Sequence, residues 1–64
     1  MKISLKAARV NAGYTLQQAA DLLGIHLMSI YKYEHHNAVP SVLVAQKLAD
    51  LYGLSMVDIK WEEE

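Results

Sequence analysis

The chain has no cysteine, a single proline and only three glycines among its 64 residues. Without cysteine, no disulfide can support the small core of so short a chain, so we expect efficient helix packing and a reducing environment. No apolar run approaches the roughly 20 residues that cross a bilayer, and the start MKISLKAARVN lacks the apolar segment of a signal peptide. We therefore expect a soluble, cytoplasmic protein without a membrane partner.

The charges nearly cancel, with six basic and seven acidic residues and a formal net charge of −1. This balance argues mildly against a nucleic-acid partner, because phosphate binders are usually basic. Three of the acidic residues, however, end the chain, and residues 1–61 carry six positive and four negative charges, a net of +2. With no linker or repeat visible, we predict one domain over 1–61 and an acidic C-terminal tail over 62–64.

Apolar residues recur at spacings of three and four along the chain, which is the period of helices rather than strands. The predicted helices cover, in order, residues 4–12, 16–23, 26 or 27 to 35, 42–52 and a short last segment capped by Ser55. The residues expected to face the core from the first, fourth and last helices are Leu5, Ala8, Ala12, Val42, Ala45, Leu48, Ala49, Tyr52, Met56 and Ile59. The pattern predicts an all-α fold with no strand.

The second and third predicted helices follow each other closely. Thr15 and, three residues later, Gln18 fit a capping box, which predicts a defined start for the second helix. Gly24 ends that helix, because glycine readily takes the left-handed conformation of a helix stop. Two helices joined by so few residues must cross steeply, which is the helix-turn-helix arrangement.

The segment LQQAADLLGIHLMSIYKYE contains Ala20, Gly24 and Ile30, with Thr15 ahead of it and the pattern PS, LADLYGLS and DI after it. In these residues the chain resembles the Cro/repressor-type (XRE-like) helix-turn-helix family, particularly its small phage and prophage regulators. The resemblance covers nearly the whole chain. It implies a compact five-helix, lambda-repressor-like DNA-binding domain with the helix-turn-helix at helices 2 and 3.

The resemblance also implies an ion pair that supports this motif. Arg9 on the first helix would pair with Glu34 at the end of the third, as a buried or half-buried bidentate bridge. The alternative is that both charges are solvated.

In the family that the chain resembles, the third helix enters the major groove and the second lies across the phosphate backbone. The residues that this carries to the DNA are Leu16, Gln17, His26, Leu27, Met28, Tyr31, Lys32 and Asn37. Leu27 and Met28 cannot hydrogen-bond a base edge, so we expect contacts with thymine methyl groups and partial reliance on DNA shape. Leu16 replaces a glutamine common in the family, and Gln17 is expected to compensate.

Two histidines depart from the family pattern. His26 stands where serine or threonine would cap the third helix, and His36 stands where glycine commonly takes a left-handed conformation. We expect reduced local stability at these two positions. A further possibility, left open by the sequence, is that histidine protonation aids DNA binding below neutral pH. No metal or cofactor is expected, because adjacent His35 and His36 point apart and Glu34 is needed by Arg9.

A single domain of this size reaches one half-site, so we expect a homodimer on a two-fold symmetric operator. The resemblance places self-association near the end of the chain, and the candidates are Leu51, Val57 and Trp61. The alternative for Trp61 is that it folds back onto its own core.

These observations favour a sequence-specific, repressor-type transcriptional regulator that binds double-stranded DNA. The alternative is a helix-turn-helix module that binds another regulator protein through Leu27, Met28 and Tyr31, as an antirepressor or antitoxin-like modulator. An enzyme is not expected, because the sequence offers no set of acid, base and nucleophile and no catalytic residue can be named.

Overall fold

A computed structural model describes residues 2–62, which contain four α-helices. Their bounds are Leu5–Ala12 (α1), Leu16–Leu23 (α2), Leu27–Glu34 (α3) and Val42–Tyr52 (α4). A single 3-10 turn at Met56–Asp58 follows, and the short strands Ile3–Ser4 (β1) and Ile59–Lys60 (β2) form a parallel pair. The expectation of a small, mostly helical domain is confirmed.

Short polar side chains start the helices where the sequence predicts. The Ser4 hydroxyl accepts the Ala7 N–H at 3.0 Å, so Ser4 caps α1 instead of belonging to it. Thr15 and Gln18 form the expected reciprocal capping box, with N···O distances of 3.1 and 2.9 Å. The predicted bounds of α2 and α4 are confirmed, because strong caps precede both helices and a left-handed glycine follows each.

The turn between α2 and α3 consists of residues 24–26 alone. Gly24 has φ 68°, a backbone conformation that residues with a side chain rarely adopt. The N–H of the next residue, Ile25, donates to the carbonyl of Ala20 at 3.1 Å. On α2 the buried positions are the small Ala19 and Ala20, so α3 can pack closely against it.

One core joins every part of the described chain. Its largest fully buried side chains are Leu5, Ile30, Leu48 and Ile59. They come from α1, α3, α4 and β2, so the helix-turn-helix rests on the same core as the two ends of the chain. Burying a side chain of this size contributes about 1.5–3 kcal/mol.

The predictions of a fifth α-helix and of no strand are wrong. Ser55 starts only the 3-10 turn, in which Asp58 accepts the Ser55 N–H at 3.2 Å. Ile59 then takes an extended conformation, with φ −110° and ψ 136°, and pairs with Ile3. Its buried, β-branched side chain fits a strand, and the partner strand lies at the other end of the sequence, so local periodicity does not predict it.

Two positions assigned to the core are exposed. Val42 is 76% exposed because it is the first residue of α4, whose buried side begins with Ala45, and the nearby Pro40 is buried instead. Ala12 is exposed in the last turn of α1, beside Gly13.

Within residues 2–62, no helix combines the length and apolar character needed to cross a membrane. Of the acidic tail predicted at 62–64, Glu62 is exposed and residues 63–64 lie outside the described residues.

Candidate nucleic-acid interface

The third helix has two faces of different character. Ile30 is fully buried, and the Glu34 side chain one turn later is only 2% exposed. Met28, Tyr31 and Lys32 point away from them and are exposed; we call these three residues the outer face of α3. The division follows from the helical rotation of about 100° per residue. The outer face is therefore available to a partner without disturbing the core.

A bidentate ion pair anchors the end of α3. Arg9 Nε donates to Glu34 Oε2 at 2.7 Å, and Arg9 Nη2 donates to Glu34 Oε1 at 3.2 Å. The third nitrogen, Nη1, donates to the backbone carbonyl of Tyr14 at 2.8 Å. The structure thus brings together the two residues of the predicted pair and adds the loop between α1 and α2 to it.

Burial and charge at this bridge affect two pKa values. Hydrogen bonding to Glu34 raises the pKa of Arg9 above its ordinary value. Burial, with the nearby Glu34 charge, raises the pKa of the Tyr52 hydroxyl to about 12. That hydroxyl has no hydrogen-bond partner within residues 2–62, so Tyr52 is an apolar wall beside the bridge rather than a member of it.

The start of α3 is capped by a histidine ring. His26 Nδ1 accepts the backbone N–H of Met28 at 3.0 Å, in the manner of a serine or threonine cap. His26 as a whole is exposed. His26 therefore fills the capping role that the sequence places in doubt.

The C-terminal end of α3 turns through a left-handed histidine. His36 has φ 60°, and its N–H bonds the carbonyl of Tyr33 at 3.3 Å while the N–H of Asn37 bonds that of Lys32 at 2.9 Å. These two bonds make a Schellman motif, in which glycine usually occupies the position of His36. His36 Nδ1 is buried without a partner in the described chain. The helix end is thus closed, but with strain.

Leu27 and Tyr31 are less free than a helical wheel indicates. Leu27 is half-buried and packs partly against the core, so its side chain is shared between the interior and the surface. The Tyr31 ring lies 4.1 Å from the His35 ring, centroid to centroid, which restrains its orientation. Periodicity alone does not distinguish these positions from the freely exposed Met28 and Lys32.

The residues predicted on α2 and in the following loop are differently placed. Leu16 is half-buried against the core, so its side chain is only partly available to a partner. Gln17 donates from Nε2 to Asp21 Oδ1 at 2.8 Å, which occupies one of its amide protons. The first N–H groups of a helix have no intrahelical acceptor, so those of Leu16 and Gln17 can still bind an anion. Asn37 is exposed beyond α3.

The three predicted dimer residues do not form one exposed surface. Val57 is 73% exposed, whereas Leu51 is half-buried against the core. Trp61 is also half-buried, and its Nε1 donates to the Met56 carbonyl at 2.9 Å, so it packs on its own chain.

The structure shows a second apolar surface that the predicted site did not include. Val39, Val42 and Leu43 are 58%, 76% and 67% exposed, before and at the start of α4. The available signal was the position of these residues next to Pro40 and the cap Ser41. The first residues of a helix can lie outside its buried face, which in α4 begins at Ala45. No group of three histidine, aspartate or glutamate side chains within residues 2–62 is placed to hold a metal ion.

Comparison with known proteins gives a consistent result. A helix-turn-helix family model (HTH_3) matches residues 5–59. The uncharacterized HTH-type transcriptional regulator YgzD of Bacillus subtilis is 30% identical over 64 residues, which are 100% of this chain and 97% of that protein. A candidate HTH-type transcriptional regulatory protein of Saccharolobus solfataricus is 37% identical over 59 residues, 91% of this chain. The chain spans only 19% of the length of that relative, and equally of its Saccharolobus islandicus counterparts. No solved structure is significantly similar.

Proposed function

The chain belongs to the XRE-type helix-turn-helix family, and we propose that it is a DNA-binding transcriptional regulator of the Cro/repressor kind. In this proposal, α3 reads a two-fold symmetric operator in the major groove, α2 lies across the phosphate backbone, and a homodimer binds the two half-sites. Such a protein acts by binding and needs no catalytic residue. Repression rather than activation, and a phage or prophage origin, are parts of the proposal that rest on the resemblance alone.

The observation that carries the proposal is the outer face of α3. Its three side chains are exposed while the opposite side of the same helix is fixed by Ile30 and the Arg9–Glu34 bridge. A helix held this rigidly can enter a groove without rearranging, and binding then costs little conformational entropy. This arrangement supports a recognition helix.

Each residue of the outer face has a role that its chemistry allows. Lys32 can donate to the guanine O6 and N7 acceptors or to a phosphate, and the Tyr31 hydroxyl can donate or accept. Met28 can only make apolar contact, for which the thymine methyl group is the matching feature of the major groove. The backbone N–H groups of Leu16 and Gln17, with the side chain of Asn37, are the proposed phosphate contacts.

Selection from random duplexes followed by salt-dependent binding tests this function. A dimer that neutralises about six phosphates should lose affinity with a log–log slope near −5. Replacing Lys32 by Ala should weaken binding to the selected duplex and reduce that slope by about one per protomer if Lys32 contacts a phosphate.

Lys6→Ala is the matched control, because Lys6 is an exposed lysine in the first turn of α1, next to the short sheet. It removes the same charge outside α3 and should change affinity much less. Equal losses in the two variants would mean unspecific attraction, and failure to select any duplex would refute the function.

For the dimer we propose Val57 as the contact, because it is the most exposed of the three predicted residues. Leu51 and Trp61 are half-buried and would add only their exposed parts to this contact. Val57→Asp should shift the protein toward monomer in a sizing experiment and leave folding intact, since the side chain lies outside the core.

The alternative function, binding to another regulator protein, has one specific observation in its favour. Met28 and Tyr31 are 45% and 40% exposed, and neighbouring apolar side chains at a surface often form a protein interface. Such a contact would be nearly insensitive to salt. A bound protein whose affinity is unchanged between low and high salt, in the absence of any selected duplex, would favour this alternative.

A further inference from the structure

The start of α3 carries an exposed hydrogen-bond donor whose position is set by the capping bond of His26. We propose that His26 donates a hydrogen bond from Nε2 to an acceptor atom of the DNA, in the tautomer that its capping bond selects. The inference rests on the proposed function and adds to it a named donor.

The tautomer follows from the capping geometry. His26 Nδ1 lies 3.0 Å from the Met28 nitrogen and accepts its proton, so Nδ1 carries no proton of its own. A neutral imidazole has one proton on its two nitrogens, and that proton must then be on Nε2. A serine or threonine cap would keep a donor in its hydroxyl proton, but that proton lies on the same short side-chain oxygen that accepts the N–H, whereas Nε2–H lies on the far side of the imidazole ring.

The direction of the donor follows from the ring. Nδ1 and Nε2 point to different sides of the imidazole, so a ring that faces the helix with Nδ1 turns Nε2 away from it. The His26 side chain is exposed, and Nε2 makes no hydrogen bond to any part of residues 2–62. The unused Nε2–H is therefore free to meet an acceptor at the start of α3.

Two kinds of acceptor in DNA suit this donor. Phosphate oxygens line the groove, and purine N7 atoms lie on its floor. A phosphate contact would fix the position of α3, whereas an N7 contact would add preference for a purine. Both use the same Nε2–H.

The first test is made on the free protein. Nitrogen-15 NMR of the His26 ring, at a pH where the ring is neutral, should show the Nε2–H tautomer as the dominant form. A majority of the Nδ1–H tautomer, or an even mixture, would overturn the proposal whatever the protein binds.

The second test separates the donor from the cap. His26→Ser keeps a capping oxygen and should unfold like the parent protein, but it should bind the selected duplex about 5- to 20-fold more weakly, the worth of one hydrogen bond. His26→Ala should lose helix stability as well. Equal binding by the parent protein and His26→Ser would overturn the proposal and leave the regulator function standing.

Modified duplexes identify the acceptor. A methylphosphonate at the contacted phosphate, or a 7-deazapurine at the contacted base, should weaken DNA binding by the parent protein. The same modification should leave the affinity of the His26→Ser variant unchanged. If neither modification does so at any position of the half-site, His26 contacts no DNA acceptor. If the parent protein binds no duplex, the regulator function and this inference fall together.

Discussion

The two faces of α3 are made by the same eight residues but depend on different partners. On one side, Ile30 is fully buried in the core and Glu34 accepts two hydrogen bonds from Arg9. On the outer face, Met28 and Tyr31 are 45% and 40% exposed, and Lys32 is exposed without a salt bridge in the described chain. The difference suggests that stability and recognition can be changed separately within a single short helix.

The largest expected effect comes from breaking the inner side. Glu34→Ala leaves the Arg9 guanidinium buried without its partner and should lower the free energy of unfolding by about 3–5 kcal/mol. In a domain this small, that loss can abolish folding. Urea denaturation followed by circular dichroism measures it.

Lys32→Ala is the control for this change, two residues away on the outer face. It should alter the free energy of unfolding by no more than about 0.5 kcal/mol, as at other surface sites. A similarly small effect of Glu34→Ala would remove the distinction between the two faces.

The second effect concerns Tyr52, which lies beside the bridge on the inner side. Because burial raises its pKa to about 12, the folded state keeps the phenol proton that the unfolded chain, with an ordinary value near 10, gives up. The contribution of the neutral Tyr52 to the free energy of unfolding is fully present below pH 10. It should fall by roughly 1–3 kcal/mol as the pH rises toward 12.

Tyr52→Phe isolates that contribution. The variant should be about as stable as the parent protein at pH 7, because the hydroxyl has no partner to lose, and should lose less stability between pH 9 and 12. Parallel pH profiles of the two proteins would show that Tyr52 titrates alike in the folded and unfolded states.

The third effect sharpens the comparison at the C-terminal end of α3. His36→Gly relieves a left-handed residue with φ 60° and removes a buried, unpartnered Nδ1, so it should raise the free energy of unfolding by about 1 kcal/mol. The melting temperature is a sufficient measurement. An unchanged or lower value would mean that contacts of the imidazole ring offset the strain.

The smallest effect is expected at the outer face itself. Replacing the thymine under Met28 by uracil removes one methyl group and should weaken binding about fourfold, the worth of roughly 0.8 kcal/mol of apolar contact. The Met28→Ser variant should not distinguish the two duplexes. Discrimination that persists in the variant would assign the methyl contact to another residue.

Much of the helix-turn-helix could be predicted because its signals are local. The Thr15–Gln18 box, the left-handed Gly24 and the Ser41 cap each act within a few residues, and the bounds of α2 and α4 follow from them. The Arg9–Glu34 bridge joins positions far apart in the sequence, and only the family resemblance indicated it.

The end of the chain could not be predicted in this way. Met56 and Ile59 have helical spacing, but Ile59 pairs with Ile3, and a strand pair of such sequence separation leaves no local signal. Likewise, the local sequence does not decide whether the side chains of Leu27 and Trp61 lie in the core or at the surface. The structure shows each of them half-buried, a balance that depends on the packing of the whole domain.

The most direct test of the account is to map chemical shift changes of the protein when it binds its selected duplex. We predict that the largest changes occur between His26 and Lys32 and on the side chains of the outer face of α3, with smaller changes at the start of α2. The resonances of Arg9 and Ile30 should stay close to those of the free protein. Changes concentrated around Val57 and Trp61, or spread evenly over the chain, would contradict it.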